Sequence, residues 1–308
     1  MSGYFAPQDG RVAIVIAHFN PCFYAQREYN LRQCLRTYRQ LGIPVFIGAC
    51  IPPGQQWDLD APEYQDRVRV FRNRDFLWNR ERLINLTVEA LVSPEYSFVG
   101  WSDADIIETD QGLTEFSFGT RDYPEQRCFI QPFAATIRLD RLGQPLRATE
   151  AIAATDERTS AKLYATDTGT AWLAPRDFWS KCGLYRYALT GAGDQLLAAV
   201  LIDQMDEQLF RAHIGDEYAP HWRDYSSALK AYRGSLAGKQ LTCLGGQAVK
   251  GWAGNTHQGR AARASAIQAI KLAHLRIEDG LLRWAPEAPD YIREAAKQAF
   301  YSRKEDTP

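Results

Sequence analysis

Short apolar runs alternate along this chain with stretches in which apolar residues recur every three or four positions. Arg11 to Ala17 (R-V-A-I-V-I-A) is a β-branched run that predicts a strand, ended at His18-Phe19-Asn20-Pro21 because proline cannot continue a ladder. From Arg27 to Leu41 the spacing turns helical, with Leu31, Cys34, Leu35, Tyr38 and Leu41 on one face and Gly42 as the stop. Ile43 to Cys50 and Val68 to Phe71 predict two further strands, and Arg80 to Leu91 a second helix with its stripe at Leu83, Ile84, Thr87, Val88 and Leu91. Phe98-Val99-Gly100-Trp101 then reads as a buried strand that runs into Ser102-Asp103-Ala104-Asp105-Ile106. Strand, helix and strand joined by short connections predict an α/β fold with a mixed, mostly parallel central sheet and helices on both faces. Ligands of such sheets sit beyond the carboxyl ends of the strands, where both His18-Phe19-Asn20 and Asp103-Ala104-Asp105 fall.

Further along, Gly169-Thr170-Ala171-Trp172-Leu173-Ala174 predicts another buried strand, Arg176-Asp177-Phe178-Trp179 a short helix, and Gly183-Leu184-Tyr185 a break. Gly191-Ala192-Gly193-Asp194-Gln195 leads into an apolar helix, Leu196 to Leu201. The polar stretch from Gln144 to Asp156 carries few large apolar residues and reads as a mobile loop or a boundary.

Composition narrows this picture. A chain of 308 residues with 45% hydrophobic and 12% aromatic content can bury a substantial core, which excludes global disorder. The formal net charge of -1 supplies no general pull toward nucleic acid or anionic membrane. No apolar run is long enough to span a bilayer, and the first residues lack the pattern of a signal peptide. Cys22, Cys34, Cys50, Cys128, Cys182 and Cys243 are scattered without a C-x-x-C pair, which reads as thiols in a reducing compartment and predicts a soluble cytoplasmic protein.

Three places carry candidate chemistry. Asp103 and Asp105 end a strand one residue apart and suit a hard divalent cation that also holds phosphates, although the same pattern fits a solvated turn. Asp194 follows a glycine pair at a helix start, where it reads either as a structural cap or as a general base. His257 and Arg260, in Gly254-Asn255-Thr256-His257-Gln258-Gly259-Arg260, offer a metal ligand and a phosphate clamp, or a histidine held by ordinary hydrogen bonds.

Taken in order, these pieces resemble the GT-A (Rossmann-like) glycosyltransferases that use nucleotide sugars, in particular the β-1,4-galactosyltransferase-like group. Trp78-Asn79-Arg80-Glu81-Arg82-Leu83-Ile84-Asn85 is similar to that group's F-N-R-A-K-L-L-N helix, and Trp101 to Ile106 resembles its F-S-D-V-D-L metal motif. Gly191-Ala192-Gly193-Asp194 resembles its G-W-G-G-E-D segment, and His257 with Arg260 its late histidine and following arginine. Two departures stand out: the glycine-rich segment has one acid, Asp194 followed by Gln195, and lacks the tryptophan. The family's methionine ligand three residues before the histidine is Gly254 here.

The resemblance implies metal-dependent, inverting transfer of a hexose from a nucleotide diphosphate sugar, UDP-linked first, to a hydroxyl of a glycan or small molecule. It implies that Asp105, His257 and Asp103 ligate Mn2+ or Mg2+, and that His18, Phe19, Asn20, Arg80 and Asp103 hold the donor. Asp194 is then the catalytic base, and Arg260, Trp172 and Tyr185 contact phosphate or acceptor. The transferase domain is expected over residues 1–260, with a nucleotide-binding half at about 11–110 and an acceptor half at about 165–260. A helical extension is expected over 261–308.

One pattern lies outside the resemblance. Between Asp224 and Glu278 there is no acidic residue, while Lys230, Arg233, Lys239, Lys250, Arg260, Arg263, Lys271 and Arg276 are basic. A second cluster is Arg67, Arg69, Arg72, Arg74, Arg80 and Arg82. Either these are solvated faces, or they form a track for a polyanion, which leaves a DNA glycosyltransferase acting on hydroxylated bases as an alternative. A nucleotide- or glycan-binding module without turnover is the remaining alternative.

Overall fold

The computed structural model describes residues 11–57, 59, 62–119, 127–189, 191–205, 215–236, 240–254 and 269–302. The chain opens with β1 (Val12–Phe19), α1 (Ala25–Gln40), β2 (Val45–Ile51), β3 (Val68–Arg72), α2 (Arg80–Leu91) and β4 (Phe98–Ser102). These match the predicted order, with boundaries shifted by no more than two residues. After β4 come β5 (Ile106–Thr109), α3 (Gly112–Ser117), β6 (Phe129–Gln131), β7 (Ala135–Leu139) and β8 (Pro145–Glu150). Next are α4 (Ser160–Ala165), β9 (Ala171–Pro175), α5 (Arg176–Lys181), α6 (Gly193–Leu201) and α7 (Ala219–Gly234). The chain continues with β10 (Leu241–Cys243), β11 (Gln247–Lys250), β12 (Leu275–Glu278), β13 (Leu281–Trp284) and α8 (Asp290–Tyr301).

Seven strands form the central sheet in the order β10-β6-β9-β4-β1-β2-β3. The pairs β1–β2, β1–β4, β2–β3 and β6–β10 are parallel, and β9 alone runs antiparallel to both of its neighbours. β2, β4 and β9 are buried along their whole length and β1 nearly so, as expected of strands covered on both faces. The period-2 alternation of β1 divides the core. Val12, Ile14 and Ile16 pack with Leu31, Leu35 and Tyr38 of α1, while Ala13 and Val15 face Ile84 and Val88 of α2, together with Phe178 and the apolar side of α6.

A smaller sheet, β5-β11-β7-β8, stands beside the C-terminal ends of the central strands. It includes one correction to the sequence reading. Part of the polar stretch from Gln144 to Asp156 is strand β8, paired antiparallel with β7 from Ala135↔Glu150 onward. Nearly every side chain of β8 is exposed, so no hydrophobic pattern marks it, and ladder hydrogen bonds to β7 hold it.

The described part of the C-terminal region contains a hairpin as well as a helix. Asp279 and Gly280, both with positive φ (53° and 78°), form the two-residue turn between β12 and β13. Asn79, at the start of α2, accepts from the Leu282 N–H at 2.8 Å and donates to its carbonyl at 3.2 Å, which ties the hairpin to the helix that carries Arg80. α8 adds Ile292 and Ala296 to the core, and Phe300 packs edge-on against Phe19. No disulfide links the cysteines. Among the described residues no helix is long and apolar enough to cross a membrane.

Candidate active site

A chain of alternating charges runs across the carboxyl ends of β4 and β1. Arg80, the first residue of α2, places Nη1 2.6 Å from Asp194 Oδ2 and Nη2 3.0 Å from Asp103 Oδ1. Asp103 in turn accepts from Lys250 Nζ at 2.5 Å, and the same ammonium lies 3.1 Å from Asp105 Oδ1. The order is therefore Asp194, Arg80, Asp103, Lys250, Asp105. Four separate elements contribute to it: the start of α6, the start of α2, the turn after β4, and the end of β11.

Local structure explains each position. Asp103 leaves β4 with its N–H bonded to the Thr170 carbonyl at 2.9 Å, so β9 fixes the turn. β5 begins at Ile106 and pairs antiparallel with β11, with Lys250 opposite Ile106 and a register shift between Val249 and Lys250. Such an irregularity re-aims a side chain, and here Lys250 turns into the acidic pair with 2% of its surface exposed. Asp194 sits in the first turn of α6, where its other oxygen accepts from Trp101 Nε1 at 2.7 Å. The preceding Gly193 is needed for packing, because a Cβ there would lie 2.5 Å from Glu81 Oε1.

Burial and charge pull these groups apart in acidity. Burial pushes Asp194 up to about 6, despite the nearby Arg80 guanidinium. Glu81, also buried, is pushed up to about 7 by desolvation, which outweighs the pull of Arg80. Asp103 keeps about a third of its side chain open to solvent, at 32%. For Asp103 burial alone would raise the pKa, but Lys250 and then Arg80 bring it below the usual carboxylate range. Burial raises Asp105 against the pull of Lys250. Lys250 itself is held charged, because Asp103 and Asp105 override the cost of burying it.

A second cluster lies at the end of β1. His18 Nε2 and Glu28 Oε1 are 2.8 Å apart, and Asn20 Nδ2 donates to the same oxygen at 3.1 Å. Trp57 Nε1 donates to Glu28 Oε2 at 3.1 Å, and its ring stacks on His18 with centroids 5.3 Å apart. These bonds bring Glu28 down to about 2 although burial alone would raise it. The β1–β4 register pairs Ile16 with Ser102, so His18 lies level with the Asp103–Asp105 turn.

The register thus brings His18, Asn20, Arg80, Asp103, Asp105 and Asp194 to one end of the sheet. Phe19 is buried and packs on Phe300. Trp172 and Tyr185 do not line this end: Trp172 is fully buried and stacked on Trp101, and Tyr185 packs within an aromatic cluster with Trp222 and Tyr225. Their large apolar surfaces are core, which corrects their assignment as acceptor contacts. His257 and Arg260 lie outside the described residues.

The two basic clusters are only partly at the surface among the described residues. Lys250 is buried, Arg233 donates to the Val200 carbonyl at the end of α6, and Arg276 pairs with Glu278 at 2.8 Å. In the earlier cluster Arg69 donates to the Leu86 carbonyl, while Arg80 and Arg82 are buried. Lys239, Arg260 and Arg263 lie outside the described residues. Arg72, Arg74, Lys230 and Lys271 are exposed, so the described basic residues are divided between the surface and internal contacts.

Three functional candidates escaped the sequence reading. Lys250 appeared only as one cation of an acid-free stretch; the usable signal is a lysine closing an apolar strand beside glycine. Glu28 and Trp57 carry no local motif, and only the fold of the loop after β2 brings Trp57 to His18.

Asp103 and Asp105 are oxygen donors of the type that hard divalent ions use. With Lys250 seated between them they do not fit a resident ion, because the ammonium occupies the space and the charge that the ion would take. Among the described residues no group of three or more His, Cys, Asp or Glu side chains could hold a metal.

No protein-family model matches the chain, and no curated protein does. Among solved structures it is similar to the catalytic domain of Drosophila β-1,4-galactosyltransferase 7 in complex with xylobiose, at 13% identity and a TM-score of 0.36. That match covers 63% of this chain, which spans only 61% of the galactosyltransferase structure. The glucosyl-3-phosphoglycerate synthase of Mycobacterium tuberculosis, solved with Mn2+, UDP and phosphoglyceric acid, is similar at 10% identity and a TM-score of 0.44, covering 90% of this chain and 87% of that one. The 4-diphosphocytidyl-2C-methyl-D-erythritol synthase of Anaerococcus prevotii is similar at 12% identity and a TM-score of 0.33, covering 76% and 86%. These likenesses are too distant to carry an activity across.

Proposed function

We propose that this protein is a GT-A glycosyltransferase that moves a hexose from a nucleoside diphosphate sugar, UDP-linked first, to a hydroxyl of a glycan or small molecule, with inversion. The observation that carries the reading is the Asp194–Arg80–Asp103 bridge. A carboxylate from a distant glycine-rich helix start is held within one guanidinium of the strand-end acids.

In this reading Trp57, His18, Asn20 and Glu28 receive the nucleoside, the indole offering a face for the base. Arg80 stands beside the diphosphate and neutralises charge as the C1–oxygen bond to the leaving group breaks. The acceptor oxygen bonds to C1 from the opposite side, and Asp194 takes the hydroxyl proton. A carboxylate pushed up to about 6 is well matched to that task near neutral pH. Gly169 lies beside Asp194 Oδ2, where a Cβ would sit 3.5 Å from that oxygen, so the glycine keeps a side chain off the base. The products are the nucleoside diphosphate and the glycosylated acceptor.

The test is mass spectrometry of candidate acceptors incubated with a panel of nucleotide sugars, for the wild type and for Asp194→Asn. The amide keeps the shape but cannot accept a proton at neutral pH, so turnover should fall by roughly a hundredfold or more while UDP binding persists. Near-normal turnover by the amide would remove the base from Asp194. Absence of UDP binding to the wild type would sink the transferase reading.

A further inference from the structure

We propose that Lys250 is a tethered cation that holds the Asp103–Asp105 pair in place of a divalent ion, so that nucleotide binding needs no metal. The inference deepens the glycosyltransferase reading and rests on it for the nucleotide, though not for the lysine.

Geometry comes first. Lys250 Nζ lies 2.5 Å from Asp103 and 3.1 Å from Asp105, bridging the two carboxylates as a shared cation would. Mg2+ would need its oxygens at about 2.0–2.1 Å and would usually keep several waters. It cannot share the position with an ammonium that already contacts both acids. Nor can the lysine swing away easily. β11 is an interior strand, flanked by β5 on one side and β7 on the other, and the Lys250 side chain is almost wholly buried. An ammonium expelled from both partners inside the protein would lose hydration and pairing together.

Charge follows. Arg80 engages Asp103 from the side opposite Lys250. Two fixed monocations at one carboxylate supply the charge of one divalent ion, and the guanidinium has the fork geometry that suits phosphate oxygens. Asp103 remains the only one of the four groups Arg80, Asp103, Asp105 and Lys250 with about a third of its side chain open to solvent, at 32% against 10% or 16% for Arg80 and Asp105 and 2% for Lys250. The exposed edge of the cluster is thus a carboxylate already balanced by two cations. Arg138, opposite Lys250 in the β11–β7 register, adds positive charge nearby.

The experiment titrates Mn2+ into the nucleotide-free wild type, Asp105→Asn and Lys250→Met, followed by electron paramagnetic resonance, and titrates UDP calorimetrically with EDTA or with Mn2+. Wild type and Asp105→Asn should take up Mn2+ equally weakly. Lys250→Met, which keeps the unbranched side chain to within one atom and removes the charge, should gain about tenfold or more in Mn2+ affinity, and adding Asp105→Asn should reverse the gain. UDP affinity of the wild type should differ by less than about twofold between EDTA and Mn2+. One equivalent of Mn2+ bound by the wild type and lost in Asp105→Asn would overturn the proposal. A tenfold or greater loss of UDP affinity in EDTA would overturn it equally. The wild-type and Asp105→Asn measurements decide the question even if Lys250→Met does not fold. Because the Mn2+ titration needs no nucleotide, it judges Lys250 separately from the transferase reading, which fails if UDP does not bind under either condition.

Discussion

Glu81→Gln should make the protein more stable, and increasingly so as pH rises. Glu81 sits in the first turn of α2 with 4% of its side chain exposed, 3.6 Å from the Arg80 guanidinium and against the backbone of Gly193. Burial lifts its carboxyl from 4.5 to about 7, and Arg80 offsets only part of that cost. A carboxyl whose folded pKa lies above its unfolded value gives stability that is fully present below pH 4.5 and is lost as pH rises through about 7. At about 1.4 kcal/mol per unit, the shift corresponds to roughly 3 kcal/mol of stability lost between acid and alkaline pH. Near-complete burial means that solvent screening reduces this little. Glutamine keeps the size and the oxygen beside Gly193 and never ionises. The variant should therefore exceed the wild type by about 2–3 kcal/mol near pH 8.5 and match it within about 1 kcal/mol near pH 4.5. Urea denaturation at both pH values reads the difference. Asp194 shifts in the same direction and its charge adds to the rise at Glu81, so the difference between the two curves reads Glu81 together with its coupling to Asp194. A stability difference that stays constant with pH, or favours the wild type at pH 8.5, would refute the reasoning.

Two further outcomes follow from the same geometry. Arg80→Met leaves Asp194 and Asp103 without their shared cation inside the protein, so stability at pH 7 should fall by about 3–5 kcal/mol; a loss in urea melts below about 1 kcal/mol would show that the bridge is not a structural centre. Trp57→Ala removes the ring stacked on His18 and should weaken UDP binding by about tenfold or more, given the usual contribution of an aromatic face to a base. Unchanged calorimetric affinity would place the base elsewhere.

Much of the fold could be read from residue order, for a physical reason. Strands covered on both faces must be apolar nearly throughout, so Val12–Ile16, Phe98–Trp101 and Ala171–Ala174 announce themselves without any tertiary knowledge. Helices α1 and α2 show their stripes because only one face of each meets the sheet. The acids at 103, 105 and 194 were likewise visible, since a strand end and a glycine-led helix start are local features. By contrast, β8 is a polar strand held by its ladder to β7, and neither its composition nor its periodicity distinguishes it from a loop.

What residue order could not supply was the partner of each charge. Asp103 meets Arg80 across 23 positions, Asp194 meets Arg80 across 114, and Lys250 reaches Asp103 across 147. A carboxylate in sequence fits a metal ligand, a cap or half of an ion pair equally well. Which of these it becomes depends on the cation that folding places within about 3 Å, because that contact, made away from water, sets both its charge state and its freedom to bind anything else. Sequence alone determined that acids would gather at the ends of the parallel strands; the pairing of β11 with β5 decided that an ammonium would stand between two of them.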